Sequence, residues 1–141
     1  MSVSGDEFRK ARTFWTSLEA IQFDGNGQIT IVTVTMVGIT GCKNERRRAD
    51  PKPYRLLIDV QDLSSLPEVW FLEPPDEQIE HLNVYHATKK CPITGTKLPR
   101  LCWGISDDAW RKATRSDRTL SQLLEVTGQL LSSVYPESAA R

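Results

Sequence analysis

Cys102 is the side chain whose surroundings best suit it to act as a nucleophile. Residues 76–103 show no sustained hydrophobic period and carry scattered Pro, Gly, Thr and Lys residues between a predicted sheet and a predicted helix. Long irregular segments of compact domains are commonly functional, and a flanking scaffold can hold a thiol within reach of solvent. A cysteine there can form a covalent intermediate, and the structural alternative is a small buried hydrophobic residue.

The other cysteines and the histidines raise the question of a metal site, because thiolate and imidazole are good zinc ligands. Cys42, Cys91 and Cys102 contain no Cys-x-x-Cys pair, and His81 and His86 do not follow a zinc-finger pattern. We therefore expect no metal and no cofactor. Three cysteines are also an odd number for a disulfide framework, so free thiols are expected, although a regulatory disulfide between Cys91 and Cys102 remains open.

The composition indicates one globular domain, spanning 1–141, without a global electric field. Hydrophobic residues make up 39% and charged residues 26% of the chain, and 18 basic side chains balance 18 acidic ones. Binding to nucleic acid or to an anionic membrane is therefore not expected, and the basic run at 46–48 is expected to be a solvated loop. Residues 1–10 are polar and no later run is long and apolar enough to span a bilayer, which predicts a cytoplasmic location.

The first half of the chain predicts a helix followed by a four-stranded antiparallel meander. Ser4 and Glu7 have the spacing of a capping box, and an apolar stripe follows them, which predicts a helix over 5–20. Strands are predicted at 21–23, 29–37, 54–61 and 69–72, separated by a turn at 24–27, a polar loop at 38–53 and a turn at 62–67. Pro74 and Pro75 end the last strand.

The second half predicts the irregular segment and two helices. Residues 106–108 can cap a short helix that carries Trp110. Thr119 and Gln122 form a second capping box ahead of a leucine-rich stripe, so a long helix is expected over about 119–134, with Pro136 after it. The order helix, antiparallel meander, irregular segment and helix makes the fold class α+β.

The residues around Cys102 occur in an order that resembles the ubiquitin-conjugating enzyme family. Members of that family carry a helix, a four-stranded meander, a His-Pro-Asn motif, an Ile-Cys-Leu active-site segment, a Trp after the Cys, and a helix that ends near a proline. The matching residues here are His81-Leu82-Asn83-Val84, Leu101-Cys102, Trp110, Leu130-Leu131 and Pro136. The resemblance covers about residues 54–138 and implies the ubiquitin-conjugating-enzyme-like (UBC) fold.

The resemblance implies that Cys102 accepts the carboxyl-terminal glycine of a ubiquitin-like protein as a thioester. The donor would be an activating enzyme, and the acceptor a lysine amine of a target protein. A thioester is a good acyl donor because a thiolate leaves more easily than an amide nitrogen, so the protein mainly has to position the lysine and stabilise the oxyanion. The implied partners are a ubiquitin-like modifier, an activating enzyme and a protein target.

The resemblance also implies roles for the neighbours of Cys102. Asn83 matches the motif asparagine, whose amide can donate to a developing oxyanion or can brace the loop backbone, and both roles remain open. His81 matches the histidine that braces the loop. Trp103, beside the cysteine, can shield the thioester from water, and Trp110 supports the site. Ser138 falls where the family places an Asp or Ser at the gate of the active site.

Some features depart from the family pattern. Leu82 replaces the motif proline, and Tyr85–Pro99 looks like an insertion between the asparagine and the cysteine. The chain also lacks the last two helices of eukaryotic members. This compaction is more similar to the divergent bacterial members of ubiquitin-like conjugation operons, some of which are linked to antiviral defence.

Two other interpretations remain. A non-catalytic variant of the same fold would bind ubiquitin-like proteins or scaffold an assembly without forming a thioester. The presence of both Cys102 and Asn83 favours the enzyme, because acyl transfer needs a nucleophile and an oxyanion donor. The third interpretation is an unrelated α+β domain that matches the pattern by chance.

Overall fold

A six-stranded antiparallel sheet with helices on one face forms the body of the protein, in a computed structural model that describes residues 3–40, 50–104 and 106–133. The elements are α1 (Gly5–Phe14), β1 (Glu19–Phe23), β2 (Ile29–Thr40), β3 (Asp50–Asp59), β4 (Val69–Glu73), β5 (Val84–Lys90), β6 (Lys97–Leu101), α2 (Ser106–Lys112) and α3 (Leu120–Leu131). Single 3-10 turns lie at Asp76–Gln78 and Arg115–Asp117. The predicted α+β class is confirmed.

The first four strands form the predicted meander, in the spatial order β1-β2-β3-β4. The prediction of a polar loop over 38–53 was wrong at its ends, because β2 continues to Thr40 and β3 begins at Asp50. Pro51 and Pro53 lie in β3 where only β2 is beside it, since pairing with β4 begins at Arg55. Their missing N–H groups therefore interrupt no bond toward β4.

The prediction of an irregular segment over 76–103 was wrong for most of its length. The predicted insertion Tyr85–Pro99 lies in an antiparallel hairpin of β5 and β6, and β6 also pairs with β4 at Arg100 and Trp70. The sheet order is thus β1-β2-β3-β4-β6-β5, with six strands where four were predicted. The register shifts between Tyr85 and Lys89, and this bulge breaks the period of two by which a strand is recognised in a sequence.

The main core lies between the sheet and the helices. Val32, Val34 and Met36 of β2 point into it, as their alternation predicted, and α3 contributes a buried leucine stripe. The predicted capping box at the start of α3 is confirmed, because the Thr119 hydroxyl accepts a hydrogen bond from the Gln122 N–H at 3.2 Å.

Helix α1 has the predicted cap and is shorter than predicted. The Ser4 hydroxyl accepts from the Glu7 N–H at 3.2 Å, but the helix ends at Phe14 rather than at residue 20. The chain then turns, with the Leu18 N–H donating to the Trp15 carbonyl, and enters β1 at Glu19. Leu18 is nevertheless buried, so the apolar stripe indicated burial correctly while the turn ended the helix.

The hairpin covers part of the opposite face of the sheet. Its turn carries Cys91 onto Ile31, Leu57 and Trp70, which form a second, smaller core. Strands β2, β3 and β4 are therefore packed on both faces at this level, which explains why Trp70 and Leu57 are buried although they face away from the helices.

A helix must be long and apolar to cross a membrane. Within the three described ranges, no helix is long and apolar enough to cross a membrane. The predicted cytoplasmic location stays a prediction.

Candidate active site

Cys102 lies directly after the last residue of β6, at the base of the hairpin. Its backbone N–H donates to the Asn83 carbonyl at 2.7 Å, which continues the pairing of the two hairpin strands by one residue. The side chain of Cys102 is half-buried, whereas Cys91 is fully buried in the second core. Cys102 is therefore partly exposed on a backbone held by regular hydrogen bonds, as a nucleophile requires.

His81 is fully buried and joins the loop before β5 to the end of α3. Its Nε2 atom lies 3.0 Å from the Leu131 carbonyl, and its Nδ1 accepts from the Asn83 N–H at 3.1 Å. Because Nδ1 faces a donor, it carries no hydrogen, and Nε2 donates to the carbonyl. This pattern fits a neutral imidazole that braces the loop, the role predicted for His81.

The Asn83 side chain makes a second connection to the end of α3. Its amide nitrogen donates to the carbonyls of Leu130 at 2.9 Å and Ser133 at 3.2 Å, and the residue is 1% exposed. An amide has two N–H donors, so both are engaged in these bonds. This geometry favours the bracing alternative for Asn83. Its role as an oxyanion donor stays a prediction, and it would require the amide to release one of the two carbonyls.

Tyr85 stands beside Cys102 on the half-exposed side of the hairpin. A hydrogen bond between its hydroxyl and the Cys102 side chain raises the pKa of Tyr85 above its usual value, and desolvation raises this pKa further. The guanidinium of Arg100 lies over the Tyr85 ring, 4.3 Å from the centroid, and is also 3.7 Å from the Glu68 carboxylate. The sulfur is thus flanked by a phenol that a cation and a carboxylate hold in place.

Two tryptophans fix the segment after Cys102 to the connection between β3 and β4. The indole N–H of Trp103 donates to the Pro67 carbonyl, and that of Trp110 donates to the Leu63 carbonyl, both at 2.8 Å. The Trp110 bond holds α2 against this connection, and the Trp103 bond holds the residue that follows Cys102. The predicted supporting position of both residues is consistent with these contacts. Whether Trp103 shields a thioester is untested.

The residues that the sequence singled out are partly brought together. His81, Asn83, Cys102 and Trp103 lie in one region, and Trp110 holds the element that follows. Ser138, predicted at the gate, lies outside the described residues, as do Cys42 and the basic run at 46–48. Sequence reasoning missed Tyr85, Arg100 and Glu68. Only the register of the hairpin places Tyr85 opposite Arg100, and that hairpin was not predicted.

The hairpin register determines how far apart Cys91 and Cys102 lie, and hence whether they can form a disulfide. The Cys91 N–H donates to the Thr96 carbonyl at the turn, while Cys102 bonds Asn83 at the opposite end. Six residues of the shorter strand separate the two levels, which corresponds to roughly 20 Å along a strand. A disulfide needs Cα atoms within about 7 Å, so this fold does not allow the pairing.

Within residues 3–40, 50–104 and 106–133, no three His, Cys, Asp or Glu side chains gather in an arrangement that could hold a metal ion.

Comparisons with known proteins do not assign the chain to a family. No family model matches it, and no curated protein and no solved structure matches it either.

Proposed function

We propose that this protein is a ubiquitin-conjugating-type acyltransferase, an enzyme that carries a ubiquitin-like protein as a thioester on Cys102 and transfers it to a lysine amine of a target protein. The observation that carries the proposal is the partly exposed Cys102, whose backbone N–H donates to Asn83 in a loop that His81 and Asn83 brace against α3. The order of these elements along the chain supports it as well.

The proposed reaction consists of two acyl transfers. In the first, the Cys102 thiolate attacks the thioester that joins the modifier to its activating enzyme, and the cysteine thiolate of that enzyme leaves. In the second, a lysine amine attacks the new thioester, the bond between the carbonyl carbon and the Cys102 sulfur breaks, and the sulfur takes the electron pair as the amine proton passes to water. Both steps depend on a thiolate as nucleophile or leaving group and on a positioned partner.

The braced loop supports this chemistry by holding the cysteine still. Hydrogen bonds from a buried histidine and a buried asparagine to the end of α3 place the Asn83 carbonyl where it can accept from the Cys102 N–H. A reacting atom that is held in one position avoids the entropic cost of finding its partner. In the proposal, Asn83 and His81 act chiefly by this positioning, and Ser138 serves at the gate.

The proposed partners follow from the reaction. They are a ubiquitin-like modifier, an activating enzyme that supplies it and a protein target, with no role for nucleic acid or membrane. The proposal includes a place among the divergent bacterial members of ubiquitin-like conjugation operons, and it extends to the antiviral defence to which some of those operons are linked.

A thioester assay tests the proposal. The chain is mixed with a candidate activating enzyme, its modifier and ATP, and the products are separated with and without reductant. A reductant-sensitive adduct is expected, and Cys102→Ala should abolish it, while the matched variant Cys42→Ser should retain it. An adduct that survives in Cys102→Ala would remove the assignment of Cys102.

The alternative is a non-catalytic module of the same fold that binds or scaffolds ubiquitin-like proteins. Exposed apolar side chains are available for such binding, since Phe14 is 84%, Phe23 57% and Val37 66% exposed. This alternative expects the modifier to bind without ATP or activating enzyme, with an affinity unchanged by Cys102→Ala. Binding of this kind without any thioester would favour the module over the enzyme.

A further inference from the structure

Part of β2 has no neighbouring strand on its outer side. Strand β1 pairs with β2 only over residues 29–33 of β2, so the backbone beyond Thr33 lies at an edge of the sheet. Ser17 covers the first position there, because its hydroxyl accepts from the Thr35 N–H at 2.8 Å and donates to the Thr35 carbonyl at 3.0 Å. The uncovered backbone that remains, residues 36–40, is called the β2 edge.

The backbone groups of Val37 and Ile39 point out of the β2 edge. Successive residues of a strand bond alternately to its two sides, and Thr35 bonds outward to Ser17. Val37 and Ile39 therefore face outward as well. Within residues 3–40, 50–104 and 106–133, no group bonds to the Val37 N–H or carbonyl, while the Ile39 carbonyl accepts from the Tyr54 hydroxyl at 2.6 Å.

The register between β2 and β3 agrees with this orientation. Val37 lies opposite Pro53, and Ile39 lies opposite Pro51. A proline has no N–H to donate across a strand pair, so it is tolerated where the opposed residues do not bond to each other. Both prolines thus fit a register in which Val37 and Ile39 direct their N–H and C=O groups away from β3.

The outer edges of β1 and β5 carry features that discourage pairing, and the β2 edge does not. Register shifts interrupt β1 twice and β5 once, and β5 ends in Lys89 and Lys90. Bulges and lysines are common protections of an exposed edge. Residues 34–40 contain no charge and no proline and pair with β3 in regular register, and the Val37 side chain is 66% exposed. The β2 edge is therefore the one best suited to accept another strand.

We infer that the β2 edge pairs with the same edge of a second copy of this chain, antiparallel and about a two-fold axis at Gly38. In this register Val37 lies opposite Ile39 of the second copy, and the outward N–H and C=O groups of both residues bond across the interface. The two-fold axis repeats this pair, which gives about four hydrogen bonds. Pairing stops before Thr35, because Ser17 already bonds to its outward groups.

A second copy fits this edge because the edge is complementary to itself. Residues 34–40 have no charged side chain, so antiparallel pairing brings no like charges of this segment together. Val37 and Ile39 share one face of the sheet, so the exposed Val37 side chain packs on Ile39 of the second copy. A strand of another protein would have to supply a matching uncharged segment, whereas a second copy always carries one.

Sedimentation equilibrium of the full chain tests the inference. The mean mass should rise from one chain toward two between about 10 μM and about 1 mM, because an interface this short belongs to the weak end of known interfaces. Val37→Lys places two ammonium groups near the axis and should weaken the association by about tenfold or more. Phe23→Lys is the matched control, since it adds the same charge at an exposed residue opposite Ile29 and should leave the association unchanged. Thermal unfolding verifies that both variants are folded.

Amide hydrogen exchange identifies the surface that pairs. The Val37 and Ile39 amides should exchange quickly in dilute protein and slowly in concentrated protein, whereas the Gly38 amide, which faces β3, should be protected in both. A rise in mass that Val37→Lys leaves unchanged, or that occurs without protection of these two amides, would overturn the inference. A chain that stays monomeric at about 1 mM would overturn it as well.

Discussion

The two sides of Cys102 are built in opposite ways. On the side toward α3, His81 and Asn83 are buried, and their hydrogen bonds go to backbone atoms. On the side toward solvent, Tyr85 and Arg100 are half-buried and contact each other through their side chains, and Arg100 also reaches the Glu68 carboxylate. Asn83 and Tyr85 are two residues apart, so this change of character occurs where the loop enters β5.

This difference separates positioning from chemistry. A buried amide that donates to two carbonyls at and just beyond the end of a helix is a strong brace, and it would have to release one of them to serve a reacting group. The half-exposed side chains of the hairpin have the reverse properties, because ion pairs and ring contacts near solvent contribute little to stability and stay within reach of a reacting partner. The comparison predicts that changes on the brace side alter stability, whereas changes on the hairpin side alter reactivity.

Gly38→Ala should give the largest effect, and it should act on the brace side alone. A Cβ at Gly38 would lie 2.5 Å from the Leu131 carbonyl oxygen and 2.8 Å from the Leu131 Cβ, so the end of α3 would have to move. Overpacking against backbone lowers the free energy of unfolding by about 3 kcal/mol at the upper end of its usual range. Denaturant unfolding measures the loss.

Gly25→Ala is the control for that substitution. A Cβ at Gly25 meets no atom within 4 Å, so its stability should change by less than about 1 kcal/mol. Equal stability of the two variants would mean that β2 and the end of α3 are not in the close contact on which the brace depends.

Asn83→Ala should give the next largest effect and should sharpen the division of roles. It leaves the Leu130 carbonyl without this donor in a buried position, which costs about 2 kcal/mol. If Asn83 is a brace, loading and discharge of a thioester slow by the same factor in single-turnover assays. Discharge that slows much more than loading would instead assign Asn83 the oxyanion and break the comparison.

The features that could be predicted from the sequence divide in the same way as the two sides of Cys102. Capping boxes at Ser4 and Thr119 and the alternation of β2 were recognisable because local hydrogen bonds and a period of two leave a direct pattern. The positions of His81, Asn83 and Cys102 close together came from a resemblance in motif order. That order says which residues meet and gives no information on the direction in which an amide points.

The hairpin was the part that sequence reasoning missed, and with it the neighbours of the sulfur. A bulge between Tyr85 and Lys89 breaks the alternation of β5, and β6 is a short strand that includes Pro99. Its partners are also distant in the chain, since Arg100 of β6 lies opposite Trp70 of β4. Pairing of this kind depends on tertiary packing, which no local pattern in a single sequence records.

The ionisation of Tyr85 should have the smallest effect on stability of the changes considered. It also tests most directly whether Tyr85 and Cys102 interact. Its pKa is raised, first by the hydrogen bond to Cys102 and then by desolvation, so folding favours the protonated phenol. This contribution to stability is present below the unfolded-state pKa of about 10 and is lost as the pH rises through the higher folded-state value. Ultraviolet absorbance of tyrosinate, with the Tyr85→Phe curve subtracted, isolates this residue. Cys102→Ala should move its ionisation to lower pH, because the first cause of the shift is gone, and an unmoved curve would mean that the phenol and the sulfur do not interact.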